Sequence, residues 1–333
     1  MTQTVVVTGA SAGVGRAVAR AYAERGARLA LLARGAAGLA AAERDCRDRG
    51  AADVRTYRVD VADAGAVQRA ADDVVHRFGG LDVWVNNAMV SVFAPAWEIP
   101  ATEFRRVTEV NYLGTVHGTL AALRHLRAHG RGTIVQVGSA LAYRGIPLQS
   151  AYCATKHAIQ GFNDSLRAEL LHDCPGVRLT MVQLPAVNTP QFSWVRTRLP
   201  RHPQPVPPIF APEVAARAIL WAADHGPREL NVGGPTWRAR IADVLVPGLL
   251  ERKLARDGYD SQQTAAPVDP ATWRDNLYRP GDDERDHGAA GDFVDRARRR
   301  SPALWIGTHK PAVSALAVGG LSVALAALSR WSR

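Results

Sequence analysis

The chain has 333 residues, 47% of them hydrophobic and 22% charged, which is enough to bury a core and too apolar for wholesale disorder. Three cysteines, Cys46, Cys153 and Cys174, are too few and too far apart for a disulfide scaffold or a zinc cluster, and they point to a reducing compartment. The formal charge of +10 is carried by arginines scattered among acids, as in Glu43-Arg44-Asp45 and Arg47-Asp48-Arg49; this is the pattern of solvated helix faces, and no nucleic-acid partner is expected.

Met1 leads almost directly into the apolar run Thr4–Thr8 without a charged leader, so no signal peptide is expected. Short Val/Leu-rich runs then alternate with longer Ala/Arg-rich stretches. Strands are expected at 4–8, 28–32, 54–59, 81–86, 132–138, 177–183 and 229–232, and helices near 14–25, 37–49, 64–78, 103–129, 150–172 and 211–225. Strands this short, with little alternation, are buried on both faces. The order predicts an α/β fold: a doubly wound parallel sheet of about seven strands with helices on both faces, formed by residues 1–250. Residues 200–212 carry six prolines and can be neither helix nor central strand, so 190–212 reads as a semi-rigid flap over a pocket or as a plain connection.

A C-terminal extension follows. Residues 251–310 are expected to be a polar arm or linker, with 257–302 rich in Asp, Gly, Pro and Arg. The run 311–329 is uncharged and flanked by Lys310 and Arg330, with Trp305 and Trp331 outside its ends. Its nineteen residues would span about 28 Å as a helix, close to the hydrocarbon thickness of a bilayer. It reads as a C-terminal membrane anchor, against the alternative of a buried or amphipathic helix. The arginines before it place the catalytic part on the cytoplasmic side, although Arg330 and Arg333 lie beyond it.

Three local patterns carry chemistry. The first strand runs through Thr8-Gly9-Ala10-Ser11-Ala12-Gly13-Val14-Gly15 into a helix. Glycines here permit a tight turn, backbone approach to a pyrophosphate and close helix–strand packing, and the helix N-terminus faces the phosphates. The second strand ends Leu31-Leu32-Ala33-Arg34, with a cation and no acid. A cation there pairs with the 2′-phosphate of NADP, so NADP is expected ahead of NAD, with Arg16 as a second contact; alternatively Arg34 is one more solvated arginine. The third pattern is Tyr152 with Lys156, one helical turn apart. Lys156 is the only lysine in the first 250 residues of an arginine-rich chain. Bringing a phenol from near 10 to about 7–8 takes roughly 3–4 kcal/mol, which a neighbouring ammonium and an oxidised nicotinamide can supply. Ser139, after the fifth strand, offers a hydroxyl to a substrate carbonyl oxygen, or alternatively a helix cap.

These residues resemble the short-chain dehydrogenase/reductase family over about residues 1–235. Thr8–Gly15, with Gly9, Ser11, Gly13, Val14 and Gly15, matches its TGxxxGxG turn, and Ser139, Tyr152 and Lys156 match its serine and YxxxK motif. Asn86-Asn87-Ala88 matches the start of NNAG, and Asn111 stands where the family keeps an active-site asparagine. Asp60-Val61 resembles the pair that holds the adenine, and Pro185-Ala186-Val187-Asn188-Thr189 the PGxVxT segment beside the nicotinamide. The resemblance implies a Rossmann-type fold and a proton transfer by Tyr152. It implies further that Lys156 binds the nicotinamide ribose, Ser139 orients the carbonyl, and Asn111 holds a relay water. It also implies homo-oligomers formed through the helices at 103–129 and 150–172. Met89 and Ala186 replace glycines of the two cofactor motifs, which implies a reshaped nicotinamide pocket.

The expected function is NADP-dependent interconversion of an alcohol and its ketone or aldehyde. Phe192, Trp194, Ile209 and Phe210 about the flap suggest a lipophilic small-molecule substrate. The alternatives are a sugar-nucleotide epimerase or dehydratase, whose usual TGxxGxxG turn is absent, and a non-catalytic NADP-binding scaffold, which the intact Ser139, Tyr152 and Lys156 disfavour. No metal is expected.

Overall fold

The computed structural model describes residues 2–309, the side chains of residues 235 and 237–239 excepted; the run 311–329 lies outside them. Seven parallel strands form the central sheet: β1 Thr4–Thr8, β2 Arg28–Ala33, β3 Asp53–Arg58, β4 Val83–Asn86, β5 Gly132–Ser139, β6 Val177–Leu184 and β7 Glu229–Asn231. Their order is β7-β6-β5-β4-β1-β2-β3, a Rossmann-like arrangement. The chain winds outward through β2 and β3, then restarts at β4 on the other side of β1. At that reversal the helices depart to opposite faces and leave a crevice beyond the carboxyl ends of the strands.

Two cores explain the strand composition. On one face α1 (Gly13–Ala23), α2 (Ala36–Asp48) and α7 (Pro212–His225) bury Val18, Tyr22, Leu39, Val214 and Ile219 against Val5, Val7, Leu29 and Leu31. On the other, α3 (Ala64–Phe78), α4 (Ala101–Thr108), α5 (Gly114–His129) and α6 (Ser150–Asp173) pack Val67, Val74, Val107, Leu126 and Leu166 against Val6, Leu32, Trp84 and Ile134. Successive strand residues point to opposite faces. Both faces are covered, so β1 is buried at every position.

The helix expected over 103–129 runs unbroken from α4 into α5 through a π-helical turn, Glu109–Leu113. Asn111 lies in that turn and clamps the backbone of Val90, donating from Nδ2 to its carbonyl at 2.9 Å and accepting its N–H at 2.8 Å. A π turn of this kind commonly marks a functional position.

Beyond β7, α8 (Gly234–Leu245) and α9 (Pro247–Asp257) expose Val244, Leu245 and Leu249. The remaining stretch, read from sequence as arm or linker, is packed against the catalytic unit. Gln263–Pro267 pairs antiparallel with Arg201–Pro203 of the proline-rich segment. The chain then crosses the carboxyl ends of the strands, buries Leu277 and Phe293, and bridges Phe210 through Arg298. Ser301 caps α10 (Pro302–Thr308) by accepting the Leu304 N–H at 3.2 Å and donates to the Val232 carbonyl. A polar composition concealed this packing, which includes backbone hydrogen bonds such as Asn276 N–H to the Trp194 carbonyl at 2.8 Å and Arg298 N–H to the Ile209 carbonyl at 2.9 Å. Among the described residues, no helix is long and apolar enough to cross a membrane.

Candidate active site

A cleft of about 450 Å³ opens at the reversal of strand order. Its floor is the glycine turn. Gly9 and Gly13 have φ of +64° and +58°, the left-handed region in which a side chain is strained. Ser11, Gly13 and Val14 line the cleft, whereas Gly15 stands behind it: a Cβ there would meet the Gly9 carbonyl at 2.2 Å. Asn87 braces the turn, donating from Nδ2 to the Thr8 carbonyl at 3.0 Å, and Thr8 Oγ1 accepts the N–H groups of Asn87 and Ala88. The glycine turn and the N-terminus of α1 fit a dinucleotide pyrophosphate.

At the other end Ser139, Tyr152 and Lys156 converge from the end of β5 and the first turns of α6. Lys156 is buried. Its Nζ donates to the Val137 carbonyl at 2.7 Å and lies 5.5 Å from the centre of the Tyr152 ring. Burial alone draws its pKa down to about 8. Burial also pushes the Tyr152 phenol above the ordinary tyrosine value, with the Ser139 hydroxyl pulling the other way. Burial thus sets the direction at Tyr152, opposite to the lowering that an ammonium together with an oxidised nicotinamide would bring. Ser139 Oγ accepts the Leu141 N–H at 3.2 Å and keeps its own proton to donate.

The remaining residues singled out in the sequence divide. Val61, Ala88, Pro185, Val187 and Thr189 line the cleft, as do Met89 and Ala186 in place of the family glycines. Asp60 lines it too, but Oδ1 accepts the Ala62 N–H at 3.0 Å and Oδ2 is bound by Arg106. Burial works to raise its pKa, yet these partners hold it below the usual carboxylate value. Asn86 faces into the sheet side, accepting from Trp84 Nε1 at 2.8 Å and donating to Thr119 and Gln136 at 3.0 Å. The Asn111 Nδ2 donates to the Val90 carbonyl and to Thr155 Oγ1, which fixes the side chain in the π turn. Arg16 is buried away from the cleft between Asp45 and Asp286, and its suggested contact with a 2′-phosphate is withdrawn.

Arg34 reaches the cleft wall, but its guanidinium donates to the carbonyls of Asn276, Leu277 and Tyr278. These belong to the arm, which sequence reasoning did not connect with the site. The arm also caps the Gly13 N–H with the Gly288 carbonyl at 3.0 Å, and it is moored by Asn188, which donates to the Gly291 carbonyl at 3.1 Å. Asn276, Pro280, Gly281 and Asp282 line the cleft beside Trp194. Gln204 to Pro208 of the proline-rich segment line the cleft on the side of Tyr152 and Gln149. One sequence signal was available: Gly281 lies flat against the Trp194 ring, where a Cβ would come within 2.6 Å.

A parallel sheet, a glycine turn at its reversal point and a Ser/Tyr/Lys cluster across the crevice define an NAD(P)-dependent oxidoreductase of the α/β class. Comparison with known proteins agrees: residues 3–199 match the short chain dehydrogenase family model, and the chain belongs to that family. It is 33% identical over 331 residues to the "Uncharacterized oxidoreductase YxnA" of Bacillus subtilis (strain 168), covering 98% of this chain and 91% of that one. It is 33% identical over 250 residues to the "Putative oxidoreductase SadH" of Mycobacterium tuberculosis, covering 73% and 89%. Among solved structures, an alcohol dehydrogenase from the archaeon Thermococcus sibiricus complexed with 5-hydroxy-NADP superposes with a TM-score of 0.60 at 30% identity, covering 69% of this chain and 96% of the other. An NAD+-bound xylitol dehydrogenase superposes at 0.53 and 31% identity, covering 56% and 70%.

Proposed function

We propose that the protein reduces a lipophilic ketone or aldehyde, or oxidises the matching alcohol, with Tyr152 as the proton-transferring group. The observation that carries this reading is the convergence of Ser139, Tyr152 and Lys156 on one cleft whose far end is the glycine turn. A bound nicotinamide supplies or accepts the hydride at the substrate carbon. Gly9, Ser11, Gly13 and Val14 would hold the pyrophosphate, Asp60 and Val61 the adenine side, and Asn87, Ala88, Pro185, Val187 and Thr189 the nicotinamide half.

The Ser139 hydroxyl donates to the carbonyl oxygen, and Tyr152 gives its proton to the same oxygen as negative charge develops there. A phenol whose proton is held tightly by burial is in the form that reduction requires. Lys156, fixed on Val137, then stabilises the phenolate left behind. Asn111 acts as a positioning residue, setting the Val90 wall through its two backbone bonds. Leu141, Ile146, Phe192, Trp194 and Val206 along the cleft favour an apolar substrate. The apolar run 311–329 agrees with a membrane anchor that would deliver such a substrate. Leu120 on α5 and Leu171 on α6 are exposed and suit a homo-oligomer through those helices. Arg34 at the cleft wall supports NADP, and the arm's carboxylate at the same corner supports the opposite preference argued below.

The test is a panel of lipophilic ketones and aldehydes offered with NADH and with NADPH. Tyr152→Phe should cut kcat by roughly 100- to 10,000-fold while dinucleotide affinity stays within about threefold. Undiminished turnover in that variant would remove Tyr152 from the chemistry.

A further inference from the structure

We infer that the arm, not β2, carries the group that selects the cofactor: Asp282 receives the adenosine ribose hydroxyls and excludes a 2′-phosphate, making the enzyme NAD-dependent. This rests on the proposed dinucleotide function and names a specificity residue for it.

The corner in question lies between the end of β2 and the start of α2. In this fold the adenosine ribose is read there: a carboxylate accepts its hydroxyls, and a cation accepts a phosphate in their place. The strand itself supplies only Arg34. The arm folds back over the corner and supplies the acid. Asp282 is 5% exposed, and its Oδ2 has no hydrogen-bond partner. Its carboxylate lies in a cradle made by two glycines. A Cβ at Gly35 would stand 1.9 Å from Oδ1, and one at Gly38 would stand 2.2 Å from Oδ2 and 2.9 Å from Ser11 Cβ. Asp282, Gly13, Ser11 and Arg34 all line the same cleft.

Helix capping does not account for this carboxylate. The first N–H groups of α2 are already taken: Ala36 donates to Asp283 Oδ1 at 3.0 Å, Ala37 to the Asp283 carbonyl at 3.1 Å, and Gly38 to the Asp282 carbonyl at 3.0 Å. Capping therefore uses the Asp283 side chain and two backbone carbonyls, and it leaves the Asp282 carboxylate unused. A buried carboxylate oxygen without a donor is costly, and a ribose diol supplies the missing O–H groups. A 2′-phosphate would meet the opposite situation. The amides at the N-terminus of α2 that would greet it are occupied, Arg34 is bound by three arm carbonyls, Arg58 is paired with Asp283 at 3.0 Å, and the Asp282 carboxylate in the same cleft carries the phosphate's own sign. Arg34 is thereby a positioning residue that fastens the arm.

The full-length protein is titrated with NADH and with NADPH, reading binding by tryptophan fluorescence and turnover by kcat/KM. Wild type should favour NADH by roughly 10- to 100-fold in both readouts. Asp282→Asn keeps the shape of the side chain and removes the charge; it should lower the NADH-to-NADPH ratio by about tenfold or more. Arg34→Ala should weaken both dinucleotides together, because it loosens the arm. A wild-type preference for NADPH, a ratio unchanged in Asp282→Asn, or a loss confined to NADPH in Arg34→Ala would each overturn the assignment to Asp282 while leaving the dinucleotide function standing. Binding of neither dinucleotide by a folded wild-type protein would overturn both.

Discussion

Replacing Gly15 with alanine tests the geometry of the phosphate turn by adding a single methyl group. Gly15 is helical, so strain in φ is not at issue; space is. The new Cβ would stand 2.2 Å from the Gly9 carbonyl oxygen and 2.6 Å from Asn87 Nδ2, where ordinary contact begins near 3.4 Å. The turn or the start of α1 must therefore retreat by about 1.2 Å. Neither neighbour is a free side-chain end. Gly9 is held in a left-handed turn, and Asn87 Nδ2 donates to the Thr8 and Gly9 carbonyls at 3.0 and 3.3 Å. Overpacking of this kind costs ~1–3 kcal/mol. Weakening the Asn87 bonds adds about 1 kcal/mol. Alanine returns roughly 0.8–1 kcal/mol of helix propensity, so a net loss of ~1–3 kcal/mol is expected. Dinucleotide affinity should fall by about tenfold or more, since ~1.4 kcal/mol of lost contact at the turn is enough. Urea denaturation and fluorescence titration read the two effects. Gly161→Ala is the control: nothing lies within 4 Å of that position in α6, and the variant should be stabilised by roughly 0.4–1 kcal/mol. A Gly15→Ala protein as stable as Gly161→Ala, with wild-type affinity, would refute the reasoning.

Four further outcomes are expected. Lys156 is held near 8, below the ordinary lysine value, so the cation is present below that pH and lost above it. The kcat/KM for the dinucleotide, which reports the free enzyme, should therefore decline above about pH 8, and an unbroken plateau to pH 10 would contradict a role for the charge. The same shift predicts that folding stability rises from about pH 8 to pH 10, because the unfolded chain still binds a proton that the folded one has released; Lys156→Met should flatten that slope. Glu103 is buried and accepts both Arg198 donors at 2.8 Å, tying α4 to the 190–212 segment. Glu103→Gln should cost about 1–3 kcal/mol, less than a fully buried pair because Arg198 is partly solvated, and should raise KM for substrate more than it lowers kcat. Deleting residues 311–333 should abolish co-sedimentation with lipid vesicles and leave turnover of a water-soluble aldehyde unchanged; retained sedimentation would remove the anchor.

The sheet and the catalytic cluster were legible because both are written in local patterns. A parallel strand covered on both faces must be apolar throughout, so Thr4–Thr8 and Arg28–Ala33 declared themselves without any partner. The Gly9–Gly15 turn and the Tyr152/Lys156 spacing are likewise properties of one turn of chain. What local pattern cannot contain is which distant backbone arrives where. The polar composition of residues 257–302 looked like a linker, and only the folded chain brings the Gly288 carbonyl to Gly13 and the carbonyls of Asn276 to Tyr278 onto Arg34. The same applies to charge. Arg34 at the end of β2 marked a phosphate site when read alone; only the fold sets Asp282 in the same cleft and three arm carbonyls on its guanidinium. Motif spacing determined the class of chemistry, because hydride and proton transfer need a turn, a phenol and an ammonium at fixed offsets. Tertiary structure decided the electrostatics around them, because the pKa of Tyr152 and the sign of charge at the ribose corner depend on desolvation and on residues some 250 positions away.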